Sequence, residues 1–245
     1  SGQVLRIDPQ TGAREVLAQC GPGLDNCTFV GDRIFVSSIS GHVSEILPDG
    51  VVRPLVEEGL QWPMGLCVTA DGLHVADGAF SYRYAKDGTR QMLGFFFTPG
   101  YPGFSRGVAA DTDGSVLVTT ANGQVMRWHV AEGTSEVVAD GYALPFGVAV
   151  APDGAVVFAD GGSGEVVRVA GGEVSILASG LDRPMGVAIA PDGAVYVGEA
   201  GAGRVVKVTS TGTETLIDGL TEPHGLAIRD GALLILDVGA RTLLS

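Results

Sequence analysis

Three residues near the end of the chain have side chains suited to catalysis. Glu222 and His224 stand two positions apart in the segment Glu222-Pro223-His224-Gly225, and Asp237 follows thirteen residues after His224. Carboxylate oxygens are preferred ligands of Mg²⁺, Ca²⁺ and other hard cations. An imidazole can accept and release a proton near neutral pH. Brought together, these groups would support metal-assisted proton abstraction and elimination, or hydrolysis, with His224 as general base and Glu222 and Asp237 as metal ligands.

The three residues belong to the last of six copies of a repeated pattern. Each copy reads as an apolar strand, a turn that is Asp-Gly in most copies, a second strand, a Gly-rich turn and two further strands. Asp-Gly pairs supply the positive φ angles that two-residue hairpins need. The alignment places one residue of each copy at an equivalent position, which we call the first ring: Asn26, Met64, Arg106, Phe146, Met185 and His224.

A repeat of about 40 residues fits one propeller blade of four antiparallel strands. The sequence therefore predicts an all-β, six-bladed β-propeller that occupies residues 1–245 as one domain. Residues 3–7 and residues 241–244 both resemble the third strand of a blade, so there is about one strand too many. We predict that the N-terminal segment supplies the outer strand or strands of the last blade and thereby protects an open sheet edge.

In a propeller, the loop that enters the first strand and the turn after the second strand open on the same face, where binding residues usually collect. The residues just after the second strands form a second ring: Ser38, Asp77, Thr120, Asp160, Glu199 and Asp237. The acids of this ring either cap the following Gly turn through its backbone amides or bind a metal or substrate. On the second interpretation, Glu199 joins Glu222 and Asp237 as a metal ligand, and Asp77 and Asp160 contact the substrate.

The first ring mixes polar and apolar side chains, as small-molecule sites commonly do. Met64, Phe146 and Met185 would provide an apolar lining beside Asn26. Arg106 is the only positive charge of the ring, and it would either orient an anionic or carbonyl group or neutralise the neighbouring acids. The segment from Gly94 to Gly107 holds five aromatic residues, and Tyr101 and Phe104 would form either a flap against the ligand or simple packing over the blade.

Composition argues against several classes of partner. The formal net charge of −13 opposes binding to nucleic acid or to an anionic membrane surface. No apolar stretch of about 18 residues and no signal peptide are visible, which favours a cytoplasmic location. Cys20, Cys27 and Cys67 are too few for a disulfide scaffold and read as buried thiols, with a Cys20 to Cys27 bridge as the alternative.

The recurrent Pro-x-Gly-(Val/Leu)-Ala and Asp-Gly-x-(Val/Leu)-(Tyr/Phe)-Val patterns resemble those of a superfamily of six-bladed propellers. It includes NHL-repeat proteins, the senescence-marker and gluconolactonase family, strictosidine-synthase-like proteins and the streptogramin (virginiamycin B) lyases. The gluconolactonase resemblance implies a metal held by Glu, Asn and Asp in the first ring, where this chain offers only Asn26. The lyase resemblance implies His224 as general base and Mg²⁺ held by Glu222 and by Asp237, which stands where a Glu is expected.

Two functions follow from these patterns. One is an enzyme, a lyase or hydrolase acting on a small molecule at the channel mouth, with His224 as base and Arg106 as polarising group. The other is a propeller without catalytic activity that binds a protein or a ligand through the channel rim.

Overall fold

The computed structural model describes residues 2–57 and 59–238, which consist of strands joined by short turns. In chain order the strands are β1 (Gly2–Ile7), β2 (Arg14–Gly21), β3 (Leu24–Val30), β4 (Arg33–Ser38), β5 (His42–Ile46), β6 (Val52–Val56), β7 (Pro63–Thr69), β8 (Gly72–Asp77), β9 (Phe80–Tyr84), β10 (Arg90–Phe95), β11 (Ser105–Ala110), β12 (Val116–Thr120), β13 (Val125–His129), β14 (Thr134–Ala139), β15 (Pro145–Val150), β16 (Val156–Asp160), β17 (Glu165–Ala170), β18 (Glu173–Ala178), β19 (Pro184–Ile189), β20 (Val195–Glu199), β21 (Arg204–Thr209), β22 (Gly212–Ile217), β23 (Pro223–Arg229) and β24 (Ala232–Asp237). Within these residues no helix is long and apolar enough to cross a membrane.

The strands form six antiparallel sheets of four strands each, which are the blades of a β-propeller. Blades 1 to 5 each consist of four consecutive strands, beginning at β3, β7, β11, β15 and β19. The first strand of every blade is the inner one, and the six inner strands contact one another in cyclic order, with β23 against β3. The predicted six-bladed propeller is therefore confirmed.

Blade 6 is built from both ends of the chain, with strand order β2-β1-β24-β23. β1 pairs antiparallel with β24, so that Gln3 lies opposite Asp237 and Ile7 opposite Leu233. The side chains of Val4 and Ile7 are fully buried. The N-terminal segment thus supplies the two outer strands of the last blade, as predicted, while residues 241–244 lie outside the described residues.

The glycine of the recurrent Pro-x-Gly segment, which reads Ser-x-Gly in blade 3, permits close approach of neighbouring inner strands. A Cβ on Gly186 would lie 1.9 Å from the carbonyl oxygen of His224 in the next blade. A Cβ on Gly107 would lie 2.1 Å from the carbonyl oxygen of Phe146. Any side chain at these positions would force the strands apart, so the repeated glycine serves the fold.

The hydrophobic core lies between adjacent blades. Between blades 6 and 1, for example, Val4 and Leu234 pack with Leu24 and Val36. The second strands, such as β8, β12, β16 and β20, are buried at every position because each of their two faces contacts a neighbouring blade. All three cysteines are free thiols, and burial raises the pKa of Cys27 and Cys67 to about 12. The Cys20 to Cys27 bridge is not formed.

Candidate functional site

The first ring holds one residue other than the alignment predicts, because blade 1 is shifted by one position. Leu24 pairs with Ser38 as Pro63 pairs with Asp77, which makes Asp25 the equivalent of Met64. Asn26 occupies the position that glycine has in the other blades. Its N–H donates to Ser37 Oγ at 3.1 Å, and the N–H of Gly107 donates in the same way to Thr119 Oγ at 2.8 Å. The placement of Asn26 in the ring is therefore wrong, and Asp25 takes its place.

With Asp25 in the first ring, an acid lies next to His224, the only histidine of the ring. Asp25 and His224 lie on neighbouring inner strands and are both buried, with 4% and 5% of their surfaces exposed. His224 Nδ1 lies 4.0 Å from Asp25 Oδ2, and its Nε2 lies 3.3 Å from Glu222 Oε1. The imidazole therefore has a carboxylate near each of its nitrogens.

The hydrogen-bonding partners indicate which nitrogen carries the proton in the neutral ring. Nε2 is within hydrogen-bond distance of Glu222, so we assign it the hydrogen, which it donates to the carboxylate. Nδ1 is buried and has no hydrogen-bond partner among the described residues. It is therefore the nitrogen able to accept a proton, and both carboxylates would stabilise the imidazolium that results.

Glu222 is held in place by a second blade. Arg183 Nη2 donates to Glu222 Oε1 at 2.8 Å, which connects the loop before β19 to the loop before β23. Arg183 has a φ of 52°, and only one other described residue besides glycine, Asp230, has positive φ. Such backbone is uncommon outside glycine and often occurs at functional sites. Arg183 and Asp25 are the two site residues that the sequence analysis missed.

One of the two carried a recognisable signal in the sequence. Blade 1 lacks the Pro-x-Gly segment, and the aligned spacing of Asn26 to Met64 is at least one residue shorter than that of any other pair. Two other pairs of ring residues are 39 residues apart, and the same spacing counted back from Met64 selects Asp25. No comparable signal exists for Arg183, because its pairing with Glu222 depends on a loop conformation.

A cavity of about 330 Å³ runs along the inner strands below the ring. Its polar lining at the ring level comes from His224, Asp25 and Asn26. The lining further along consists largely of Val, Ala, Ile and Leu residues from five inner strands, and β3 contributes Cys27 and Thr28. This volume lies at the lower end of the range for small-molecule sites.

The other side of the ring is apolar, as the sequence predicts. Phe146 and Met185 are buried and pack with Ala200, and Met64 packs against them from across the ring. The rings of Phe146 and His224 meet edge to face, with centroids 5.9 Å apart. Because these residues come from blades 4 and 6, the channel is narrow at this level.

The acids of the second ring stabilise loops. Asp77 accepts the N–H groups of Gln61 and Trp62, and Asp160 those of Ala143 and Leu144. Both side chains are almost fully buried. Both acids therefore cap backbone amides, as the capping interpretation predicts. Most of these amides belong to the loop that enters the inner strand and not to the Gly turn that follows the second strand. Of these two acids, Asp160 also accepts an N–H from the following Gly turn, that of Gly162 at 3.2 Å.

The predicted metal ligands are engaged elsewhere. Asp237 accepts the N–H groups of Thr221 and Glu222 at 3.0 and 2.7 Å. Glu199 forms a bidentate ion pair with Arg204 and also accepts the N–H of Asp182. Over residues 2–57 and 59–238, no three His, Cys, Asp or Glu side chains are grouped so as to hold a metal ion. Glu222, Asp237 and Glu199 are not grouped around one point, and amides or arginines donate to Asp237, Glu199 and Glu222 Oε1, so the arrangement gives no support to these three as a ligand set for Mg²⁺ or Ca²⁺.

Arg106 lies at the ring position of β11, with its side chain half-buried, but does not line the cavity. Burial lowers the pKa of its guanidinium. Its Nη1 is buried without a hydrogen-bond acceptor among the described residues. The described acids lie beyond ion-pair distance, so the structure gives no support to a neutralising role.

The aromatic segment before β11 divides into two parts. Tyr101 is buried between blades 2 and 3, where its hydroxyl lies 3.2 Å from those of Ser81 and Ser105 and its ring meets Trp128. The expected flap is wrong for Tyr101, which packs in the core. Phe104 is half-buried and packs against the exposed ring of Trp62, with centroids 6.0 Å apart. A ligand contact by Phe104 stays a prediction.

Comparisons with solved structures agree with the fold. A streptogramin B lyase superposes with a TM-score of 0.69 at 16% identity over 96% of this chain and 86% of that one. A selenomethionine-substituted virginiamycin B lyase from Staphylococcus aureus superposes with a TM-score of 0.65 at 15% identity over 97% of this chain and 99% of that one. A gluconolactonase from Xanthomonas campestris superposes with a TM-score of 0.77 at 17% identity over 91% of this chain and 89% of that one. No protein-family model and no curated protein sequence matches the chain. At these identities the likeness concerns the fold alone.

Proposed function

We propose that the protein is an enzyme of the lyase or hydrolase type that acts on a small molecule at the His224 end of the central channel. The observation that carries this proposal is the buried imidazole, with Nε2 on Glu222 and Nδ1 unbonded. A general base needs an orienting partner on one nitrogen and a free second nitrogen. The propeller superpositions with a lyase and a gluconolactonase are consistent with it.

In the proposed step, His224 Nδ1 removes a proton from the substrate or from a water molecule. The electron pair of the broken bond then either expels a leaving group from the neighbouring carbon or attacks a carbonyl carbon as hydroxide. Asp25 and Glu222 stabilise the imidazolium, which returns the proton to the leaving group. Phe146 and Met185 limit the access of bulk water, which strengthens these charge interactions.

A turnover screen with a matched histidine control tests the proposal. The panel contains small esters, lactones and carboxylates with a β-leaving group, and mass spectrometry follows the products. We expect conversion of at least one class to fall by about 100-fold or more in His224→Gln. The exposed His42→Gln variant should retain full activity. Conversion that His224→Gln leaves unchanged, or no conversion of any class, would contradict the proposal.

The alternative, a propeller that binds without catalysis, is favoured by a different observation. Trp62 is 53% exposed in the loop that enters β7, on the face where the channel mouth lies. Together with Phe104 it offers an aromatic surface of the kind enriched in binding interfaces. Saturable binding of a panel compound by calorimetry, with no product formed, would select this alternative.

A further inference from the structure

We propose that the site takes substrates that carry a carboxylate and that Arg106 binds this group across the mouth from His224. This inference rests on the proposed function, because it names the substrate class of the same site. Its starting point is that Arg106 is the cation of the first ring and lies on blade 3, directly opposite His224 on blade 6.

The ion pairing of the other arginines makes Arg106 unusual. Most described arginines contact a carboxylate within 4.0 Å, as Arg183 does with Glu222 and Arg204 with Glu199. Arg106 is not among them, and Nη1 of Arg106 is the only arginine nitrogen in the described ranges that is buried without an acceptor. Leaving a buried donor without an acceptor has a free-energy cost. A ligand oxygen that accepts from Nη1 would recover that cost.

Charge distribution around the mouth favours an anionic group at this place alone. The protein has a net charge of −13 and therefore repels anions in general. The acids of the second ring accept hydrogen bonds from backbone amides or, for Glu199, form an ion pair with Arg204, and none of them pairs with Arg106. Burial depresses the pKa of Arg106, and no carboxylate acts to raise it. A guanidinium in this setting is matched to a planar carboxylate, to which it can donate two parallel hydrogen bonds.

The distances across the ring limit the size of the substrate. Contact between Phe146 and His224 from blades two positions apart shows that the mouth is narrow. The cavity below holds about 330 Å³. A short carboxylate held by Arg106 would therefore place the carbon atoms beside its charged group near His224 Nδ1. There the base would remove a proton from one carbon, and the electron pair of that C–H bond would expel a leaving group from the neighbouring carbon.

Binding of C2 to C4 carboxylates and of the matching neutral amides, measured by ligand-detected NMR at constant salt, tests the inference. Propionate and propionamide form the reference pair. We expect the carboxylates to bind at least tenfold more tightly than the amides. This preference should disappear in Arg106→Gln and be partly retained in Arg106→Lys. Arg14→Gln, at an exposed arginine on β2, is the matched control and should behave as the unmodified protein.

Each outcome is decisive for the inference. Equal binding of acid and amide, a preference that survives Arg106→Gln in a protein with unchanged circular dichroism, or no binding by any carboxylate would overturn it. The same titration on His224→Gln separates it from the proposed function. Carboxylate binding that depends on Arg106 and is kept in His224→Gln, when the unmodified protein converts no compound of the panel, would support the inference while the proposed catalysis fails.

Discussion

At the scale of single residues, two buried histidines show how their surroundings decide their chemistry. His224 lies between two carboxylates at the channel. His74 on β8 is 1% exposed and packs edge to face on Trp128, with its Nε2 unbonded among the described residues. Burial, with a smaller contribution from Arg83, lowers the pKa of His74 to about 4. His224 is thus placed to exchange a proton, whereas His74 is part of the core.

His74 gives the folded protein a specific sensitivity to acid. Its folded pKa of about 4 lies below the ordinary value of 6.5, so the unfolded chain binds the proton first as pH falls. The free energy of unfolding should therefore decrease between pH 6.5 and 4, by about 3 kcal/mol from this residue. Urea unfolding at several pH values measures it. His74→Phe should remove this part of the pH dependence, and the exposed His42→Gln should not.

An equal pH dependence of the two proteins would contradict this prediction. If His74→Phe and the unmodified protein lose the same free energy of unfolding over this pH range, His74 is not held neutral in the fold. Other carboxylates and histidines contribute to both proteins alike, so the difference between the two curves isolates His74.

At the scale of strands and loops, the carboxylates that end the second strands anchor the loops entering the inner strands. Asp160 has 1% of its surface exposed and accepts N–H groups from Ala143, Leu144 and Gly162. Hydrogen bonds to charged groups contribute more than neutral ones, and a buried amide without an acceptor is costly. The loop that positions Phe146 depends on this carboxylate.

Asp160→Ala should therefore destabilise the fold by about 2–4 kcal/mol in the free energy of unfolding, measured by chemical denaturation. Thr120 stands at the equivalent position of blade 3 and caps one N–H, that of Gln124, at 3.3 Å. Thr120→Ala is the matched control and should cost less than about 1 kcal/mol. Equal costs for the two substitutions would mean that the carboxylate adds nothing beyond filling space.

These acids also show where sequence reasoning reaches its limit. Their position after the second strand is readable from the repeat, and so is the alternative that they cap amides. Which amides they cap is decided by loops of different length in each blade. The structure gives no support to Asp237 and Glu199 as metal ligands, and nothing in the sequence shows that the N–H of Thr221 and the guanidinium of Arg204 donate to their oxygens.

At the scale of the whole molecule, the ring of six blades follows from the repeat. The blade count, the strand order and the use of the N-terminus to complete the last sheet all depend on spacing and alternation, which the sequence carries directly. Contacts between blades depend on the closed ring. Asp25 and His224 are about 200 residues apart in the chain and meet only because β3 packs against β23.

Closure of the ring also determines which side chains meet at the site. The channel brings one residue from each blade to a common level, so six different side chains can be combined on one rigid scaffold. Here the combination sets His224, Asp25 and Glu222 against Arg106, with Phe146, Met185 and Met64 between them. A displacement of one blade would separate the pairs, which makes the site a property of the intact ring.

The protonation state of the His224 ring is the most direct test of this account. Long-range ¹H–¹⁵N spectra at pH 7.5 distinguish the two neutral tautomers and the imidazolium, and His224→Gln identifies the signal. For the neutral ring we predict the tautomer with hydrogen on Nε2, and a changed Nε2 signal in Glu222→Gln. Hydrogen on Nδ1 in the neutral ring, or a spectrum that Glu222→Gln leaves unaltered, would contradict the proposed role of His224 as a base oriented by Glu222.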